Sequence, residues 1–204
     1  MKRLLSLLCV LCLCTAVLRA QDDGDEYEGT ESTPFSYFMN QHGDQYLRIA
    51  LGASFPCGGF EGSLFDDSSK LKIGGLGSLG YHYFLTSLIA VGADATFGFH
   101  VTIGSHVLNY IPIVGTFTFQ PTFSRFEFPI TVGIGFAWQM YNNYTYWPGL
   151  VIKPEAGVHF RINPSWSLGL ECTYMFMPEF DYDDSSKNVY GQFIVASVVA
   201  RYYF

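Results

Sequence analysis

The sequence predicts an all-β chain, an eight-stranded antiparallel up-and-down transmembrane β-barrel. Three observations carry the prediction. The first is composition. Of 204 residues, 49% are hydrophobic, 18% aromatic and only 14% charged, against roughly 25% charged in soluble domains. After residue 20, no run of ~20 uninterrupted apolar residues offers a spanning helix. The second is a set of eight segments in which large apolar residues alternate with small or polar ones, the period-two pattern of strands. The third is the rhythm of the connections, alternately short and long. Besides the helix, the structure able to satisfy its backbone inside a bilayer is the closed barrel.

The first twenty residues read as a secretory signal: Lys2 and Arg3, then an apolar run from Leu4 to Leu18. Cleavage fits after Ala20 or after Ala16. Cys9, Cys12 and Cys14 raise the question of lipidation, but Leu13 stands directly before Cys14, where a small residue is expected. Residues 21–44 form an acidic periplasmic segment with Asp22, Asp23, Asp25, Glu26, Glu28 and Glu31. Its first half holds few apolar residues to offset ordering entropy, so most of it is expected to be disordered. A chaperone- or partner-binding role is the alternative. Net charge is −7, or −10 once Lys2, Arg3 and Arg19 are set aside. That argues against nucleic acid as a partner and against attraction to an anionic surface.

The barrel is residues 45–204. The first strand, Gln45 to Pro56, sets Leu47, Ile49, Leu51, Ala53 and Phe55 against Tyr46, Arg48, Ala50, Gly52 and Ser54. The second, Leu71 to Tyr83, sets Ile73, Leu79, Tyr81 and Tyr83 against Lys72, Gly74, Ser78, Gly80 and His82. The third, Ser87 to His100, opposes Val91, Phe97 and Phe99 to Asp94, Thr96 and His100. The fourth, Val107 to Phe119, is the weakest pattern, with Ile111, Ile113, Phe117 and Phe119 against Pro112, Thr116 and Thr118. The fifth, Phe126 to Met140, is the cleanest: Phe128, Ile130, Val132, Ile134, Phe136 and Trp138 oppose Glu127, Thr131, Gly133, Gly135, Ala137 and Gln139. The sixth, Leu150 to Ile162, places Lys153, Glu155, Gly157, His159 and Arg161 opposite Ile152, Ala156, Val158 and Phe160. Asn163 and Pro164 make a tight turn. The seventh, Ser165 to Met177, opposes Trp166, Leu168, Leu170, Cys172, Tyr174 and Phe176 to Ser167, Gly169, Glu171 and Thr173. The eighth, Tyr190 to Phe204, is apolar on both faces, with Arg201 on the face of Tyr203 and Phe193.

The connections Phe84–Thr86, Gln120–Arg125 and Asn163–Pro164 are short. Cys57–Lys70, Tyr141–Gly149 and Pro178–Val189 are long. An even strand count with that alternation puts both termini on the periplasmic side.

A soluble barrel shows the same alternation with its faces exchanged. Two features choose lipid. The apolar faces hold no Asp, Glu, Lys or Arg, and one Lys or Arg on lipid at mid-membrane costs ~2–4 kcal/mol. The opposite faces are rich in Gly, Ser, Thr and Ala, which suits an eight-stranded lumen barely wide enough for side chains. Aromatics gather near both ends of the strands: Tyr81, Tyr83, Phe126, Trp166 and Tyr202 at one rim, Phe99, Trp138, Tyr141 and Tyr174 at the other. Cys57 and Cys172 read as small hydrophobes rather than a disulfide pair.

From Gln45 onward the chain resembles the small eight-stranded outer-membrane barrels: the OmpA transmembrane domain, OmpX, OmpW and the opacity-type proteins. Gly157-Val158-His159-Phe160, the Asn163-Pro164 turn, the strand through Leu168, Leu170 and Tyr174, and the terminal aromatic carry the resemblance. It implies that Tyr202 and Phe204 form an assembly signal read by the barrel-assembly machinery, and that the chain lies in the outer membrane of a diderm bacterium. The Cys-bearing leader resembles spirochaete signals.

The alternation turns Arg48, Lys72, His82, Asp94, Glu127, Lys153, Glu155, His159, Arg161, Glu171 and Arg201 into the lumen. Charges in so narrow a space must pair. They form either a static salt-bridged plug or a polar gate whose pairs exchange to pass small solutes. Pro112, Pro129 and Pro154 each remove a ladder donor. They mark either bulges and strand ends or, by the OmpW resemblance, a lateral weak point for hydrophobic solutes. The histidines show no metal-ligand spacing, and neither metal nor cofactor is expected. An acidic cluster, Asp181, Asp183 and Asp184, reads as a solvated loop. Small barrels include lipid-modifying enzymes, but His100 with Thr102, and Ser105 with His106, lack an evident carboxylate partner, so no catalytic residue is expected. Tyr141, Asn142, Asn143, Tyr144, Tyr146 and Trp147 make an unusually aromatic loop, a candidate contact for a host ligand. The reading is therefore a non-enzymatic barrel in contact with outer-membrane lipid. It is either a minor channel for small or hydrophobic solutes, or a structural or surface-binding barrel with a closed lumen.

Overall fold

A computed structural model describes residues 40–57, 71–102, 106–141, 144–179 and 189–204, all within the compact unit Tyr37–Phe204. The expected signal, the acidic stretch to residue 39, Ser105, Asn142, Asn143 and the acidic cluster Asp181, Asp183 and Asp184 lie outside the described residues.

The strands are β1 (Gln45–Cys57), β2 (Gly74–Phe84), β3 (Ile89–Val101), β4 (Val107–Phe119), β5 (Thr122–Phe123), β6 (Phe126–Glu127), β7 (Ile130–Tyr141), β8 (Tyr144–Asn163), β9 (Trp166–Glu179) and β10 (Val189–Tyr203). Eight of them pair antiparallel in the order β1–β2–β3–β4–β7–β8–β9–β10. The ring closes where β10 returns to β1, from Tyr46↔Tyr203 to Cys57↔Gln192. A closed antiparallel ring has no unpaired edge. The end of the barrel holding Tyr46 and Tyr203 is called the near end, the other the far end.

The two extra strands come from the fifth predicted strand. Phe128 and Pro129 interrupt it, leaving β6 and β7. The register does not change across the break: Phe126 pairs Phe160 and Ile130 pairs Ala156. Proline has no N–H for the ladder, and the Phe128 N–H instead donates to Pro121 O at 2.9 Å. The predicted connection Gln120–Arg125 consequently contains β5, which pairs with β6. The turn narrows to Ser124 and Arg125, with Ser124 at φ 53°. The aromatic loop is likewise mostly strand. β7 runs to Tyr141 and β8 begins at Tyr144, the register slipping between Ala137 and Gln139 beside the Trp147–Pro148 peptide.

At the near end the turns are tied by side chains. Asn163 Oδ1 accepts from the N–H groups of Ser165 and Trp166 at 3.0 and 2.9 Å, an Asx turn. Thr86 Oγ1 accepts from Leu88 and Ile89 in the same manner. Residues before β1 also belong to this end. Asn40 is buried, and Gly43, at φ 97°, turns the chain into β1.

The alternation sets the faces. Leu51, Leu79, Ile134 and Leu170 are 58–68% exposed, while Arg48, Asp94, Glu127 and Glu171 are 0–3% exposed. The large apolar side chains point outward and the ionic ones inward, the arrangement a lipid solvent requires. Cys57 is a buried free thiol, and Cys172 a free thiol on the outer face.

Candidate functional site: the barrel lumen

The lumen is filled in three layers. Tyr46, Phe84, Ala90 and Tyr203 form an apolar cluster at the near end. Arg161, on β8, crosses this layer. Its Nη1 donates to Glu127 Oε1 and to Asn40 Oδ1, both at 2.8 Å, and its Nη2 to Pro164 O at 2.9 Å. The guanidinium lies 3.6 Å from the centre of the Tyr203 ring, and the Tyr203 hydroxyl donates to Glu127 Oε2 at 2.7 Å.

The middle layer is ionic. Arg48, from β1, touches three carboxylates. It bonds Glu171 through Nε at 3.1 Å and also through Nη2; Nη2 meets Glu155 Oε2 at 3.1 Å; Nη1 is 3.6 Å from Asp94 Oδ2. Lys153 Nζ joins Asp94 at 2.7 Å to Glu155 at 3.5 Å. Arg201 holds Glu171 Oε1 at 2.7 Å and Gln120 Oε1 at 2.8 Å. His159 Nε2 lies 2.8 Å from Glu171 Oε1, and His82 Nε2 3.1 Å from Asp94 Oδ1. Thr173 donates to Glu155 at 2.7 Å. Four buried cations, Arg48, Lys153, Arg161 and Arg201, thus face four buried carboxylates, Asp94, Glu127, Glu155 and Glu171. The layers balance without a charge on either histidine, which limits the desolvation cost of burying them.

The far layer is apolar. Tyr110, Val114, Ala137, Val151, Met175, Met177 and Phe193 pack together, with Leu71 and Leu108 against them. His100 stacks 4.7 Å from Phe193 and 5.7 Å from Tyr110. Its Nε2 is 3.0 Å from Ser54 Oγ and its Nδ1 2.9 Å from Lys72 O, and the Tyr110 hydroxyl donates to Ser54 at 3.3 Å. A hydroxyl beside an imidazole is the raw material of nucleophilic catalysis. Here both groups are 0% exposed, with the His100 ring stacked between aromatic rings.

Beside the ionic layer, Arg48, Ser78, Thr96, Lys153, Glu155 and Thr173 leave a space of about 10 Å³. That is at the lower bound of room for one water.

Of the residues the alternation turns inward, Arg48, His82, Asp94, Glu127, Lys153, Glu155, His159, Arg161, Glu171 and Arg201 lie buried in these layers. Lys72 does not. β2 begins only at Gly74, after an isolated bridge at Leu71, and Lys72 is exposed. Its carbonyl, not its ammonium, meets the lumen, at His100. Gln120, Asn40 and the Met175, Met177 and Phe193 plug are lumen parts that a search for charged residues passes over. Continuing the inward parity of Glu171 and Arg201 along β9 and β10 reaches the last three.

The prolines do not share a seam. Pro112 points inward and interrupts the β3–β4 ladder between Ala95↔Ile113 and Gly98↔Tyr110. Pro154 points outward and interrupts β8–β9 between Ile152↔Phe176 and Glu155↔Thr173. Pro129 separates β6 from β7. Two whole strand pairings, β4–β7 and β7–β8, stand between the first two gaps. Tyr202 and Phe204 lie on the outer face beside Trp166. At the far rim Trp138 and Trp147 are exposed with ring centroids 6.0 Å apart. Tyr141 is 6.0 Å from His106.

A family model matches residues 23–202 of the chain. Two uncharacterised proteins of Treponema pallidum (strain Nichols) are similar to it. One is 32% identical over 140 residues, 62% of this chain and 48% of that protein. The other is 31% identical over 137 residues, 62% of each. The match spans about half the length of the first relative. Among solved structures, Neisserial surface protein A superposes with a TM-score of 0.62 at 12% identity, covering 79% of this chain and 97% of that one. Ail, the attachment invasion locus protein of Yersinia pestis, superposes with a TM-score of 0.51 at 13% identity, covering 80% and 100%. At such identity the likeness is one of fold: the small outer-membrane β-barrel.

Proposed function

We propose that this chain, which belongs to a family of uncharacterised Treponema proteins by the model matching residues 23–202, is an outer-membrane barrel with a closed lumen that acts at its surface. In this reading the near end faces the periplasm and the far end the exterior. The single observation that carries it is the three-layer filling. An ionic network with four cations on four carboxylates is capped on both sides by apolar side chains, and the space beside it is about 10 Å³. The exposed apolar belt supports membrane lipid as the constant partner. The aromatic far rim, with Trp138, Trp147 and Tyr141, supports contact with a ligand outside the cell, and the barrel needs no catalytic group for either role.

The test is conductance of the refolded full chain in planar bilayers. The closed reading expects no steps above leak in the wild type, and none in Glu171→Gln. A steady open level in the wild type overturns it.

One observation favours a second reading, a gated minor channel for small solutes. Arg48 touches three carboxylates and Lys153 two, so each cation has another partner ready if one is lost. Rare, brief openings that become frequent in Glu155→Gln would support this reading over the first.

A further inference from the structure

We propose that Asn40–Asp44, the residues that lead into β1, are a strap that latches the near mouth of the lumen shut, with Asn40 as its releasable tip. The inference deepens the closed-lumen reading above and rests on it.

The base of the strap is a β-turn. The Asp44 N–H donates to Gln41 O at 3.2 Å, and the Gln41 N–H donates to Asp44 Oδ2 at 2.8 Å. Gly43 has φ 97°, the left-handed backbone that the third residue of a type II turn takes. The turn is tied to the end of β2. The Gly43 N–H donates to Phe84 O at 3.0 Å, and the Phe84 N–H donates to Asp44 O at 2.9 Å. His42 Nδ1–H donates to Leu85 O at 2.9 Å, and its ring meets the Tyr83 ring edge to face at 6.0 Å.

From this base the chain turns inward. Three residue steps lead from Gly43 back to Asn40, a reach of at most ~10 Å. They carry Asn40 from the β2 end to the Arg161 guanidinium, which lies over the Tyr203 ring. Gln41 and His42 are exposed, yet Asn40 is 3% exposed. Its amide is buried because the turn folds it into the mouth.

The two ends of the strap differ in strength. The base is held by several bonds to the wall. Among the described residues the tip is held by one, from Arg161 Nη1 to Asn40 Oδ1 at 2.8 Å. Asn40 Nδ2 is buried with no partner among the described residues, and outside the mouth it would meet water, so its burial opposes the latch. Arg161 Nη1 carries two N–H groups and gives the other to Glu127 Oε1 at 2.8 Å. Loss of Asn40 therefore leaves the Arg161–Glu127 pair whole, and the freed N–H turns to water entering the mouth. A pull on the chain ahead of Asn40 breaks one bond and opens the near end, while the ion pair stays in place.

The test uses the full chain with Cys57→Ser and Cys172→Ser in lipid nanodiscs, which leave both ends open to solution. Ala90→Cys puts a thiol in the near cluster, and Val114→Cys puts one in the far plug. The readout is the rate at which a water-soluble cationic methanethiosulfonate modifies each thiol. With Asn40 in place both should react slowly. Asn40→Leu keeps the size of the side chain but not its acceptor. It should speed modification of Ala90→Cys about tenfold, the scale of one lost hydrogen bond, and leave Val114→Cys unchanged. Asn40→Asp keeps an acceptor oxygen and sets a carboxylate against the guanidinium, so Ala90→Cys should react no faster than with Asn40. If Asn40→Leu is no faster either, the strap is overturned while the closed lumen stands. Equal acceleration of both thiols also overturns it, as a general loosening of the barrel. Acceleration by Asn40→Asp to the level of Asn40→Leu overturns the latching bond. Thiols that both react as fast as exposed ones with Asn40 in place overturn the closed lumen, and the strap with it.

Discussion

Arg161 and Glu127 form the simplest pair in the lumen to take apart. Among the described residues each has one partner of opposite charge, at 2.8 Å, and both are buried. In Arg161→Met, Glu127 would keep, among the described residues, only the Tyr203 hydroxyl, and the lone buried carboxylate is expected to cost ~3–5 kcal/mol. Adding Glu127→Leu removes the stranded charge, so the double variant should recover to within about 1–2 kcal/mol of the wild type. Urea midpoints of the refolded protein in lipid vesicles, read by a double-mutant cycle, measure both. If the double variant is as unstable as Arg161→Met, the pair acts through packing around Tyr203 and Asn40 rather than charge. The middle layer behaves differently. Glu171 contacts Arg48, Arg201 and His159 together, so no single partner can be removed with it cleanly.

Strand Pro154 shows how one residue type shapes an element without ending it. β8 runs unbroken from Tyr144 to Asn163, yet its pairing with β9 lapses around residue 154. The pairing Val132↔Pro154 with β7 persists, so the gap lies on the β9 side, where the ring replaces a donor. Pro154→Val should restore one hydrogen bond and raise stability by ~0.5–1.5 kcal/mol. Amide exchange should slow at 174–175, and the amide newly introduced at position 154 should itself be protected. Unchanged exchange there would mean that the gap is set by the twist of β8 and β9 instead. Such detail is where sequence reading stops. Strict alternation in Ile130–Met140 and Trp166–Phe176 made both strands legible, because a period of two admits one face assignment. The same pattern turned Arg48, Asp94 and Glu171 inward, and the chain places them there. Lys72 failed because alternation says nothing of where a strand starts, and β2 starts two residues later. The aromatic loop failed for the opposite reason. Pro148 and Gly149 look like loop residues, but a register slip between Ala137 and Gln139 lets the hairpin pass through them. Which cation takes which carboxylate was not legible at all, since it depends on the barrel's stagger.

Closure of the whole cylinder depends on the last strand meeting the first, and the two are bonded to their ends. Gln45 and Phe204 exchange backbone hydrogen bonds, N–H to O, at 3.4 and 3.1 Å. The Phe204 side chain adds little to this: it points outward, 59% exposed. A role confined to the folded state would therefore cost Phe204→Ala no more than the ring's contact with the membrane. A role in assembly would not, because an unpaired final strand must be recognised before the ring exists, while its backbone edge is still open. The expected outcome is a split. Refolded into vesicles, Phe204→Ala should lose at most about 1–2 kcal/mol, the ring's contact with the membrane. Expressed as the full 204-residue chain in a diderm host, it should reach the outer membrane at a several-fold lower level, measured as the heat-modifiable band in that fraction. Equal loss in both settings would place the contribution of Phe204 in the folded wall and remove the assembly role. An equal yield in the host would remove it as well, and would leave closure to the β1–β10 ladder alone.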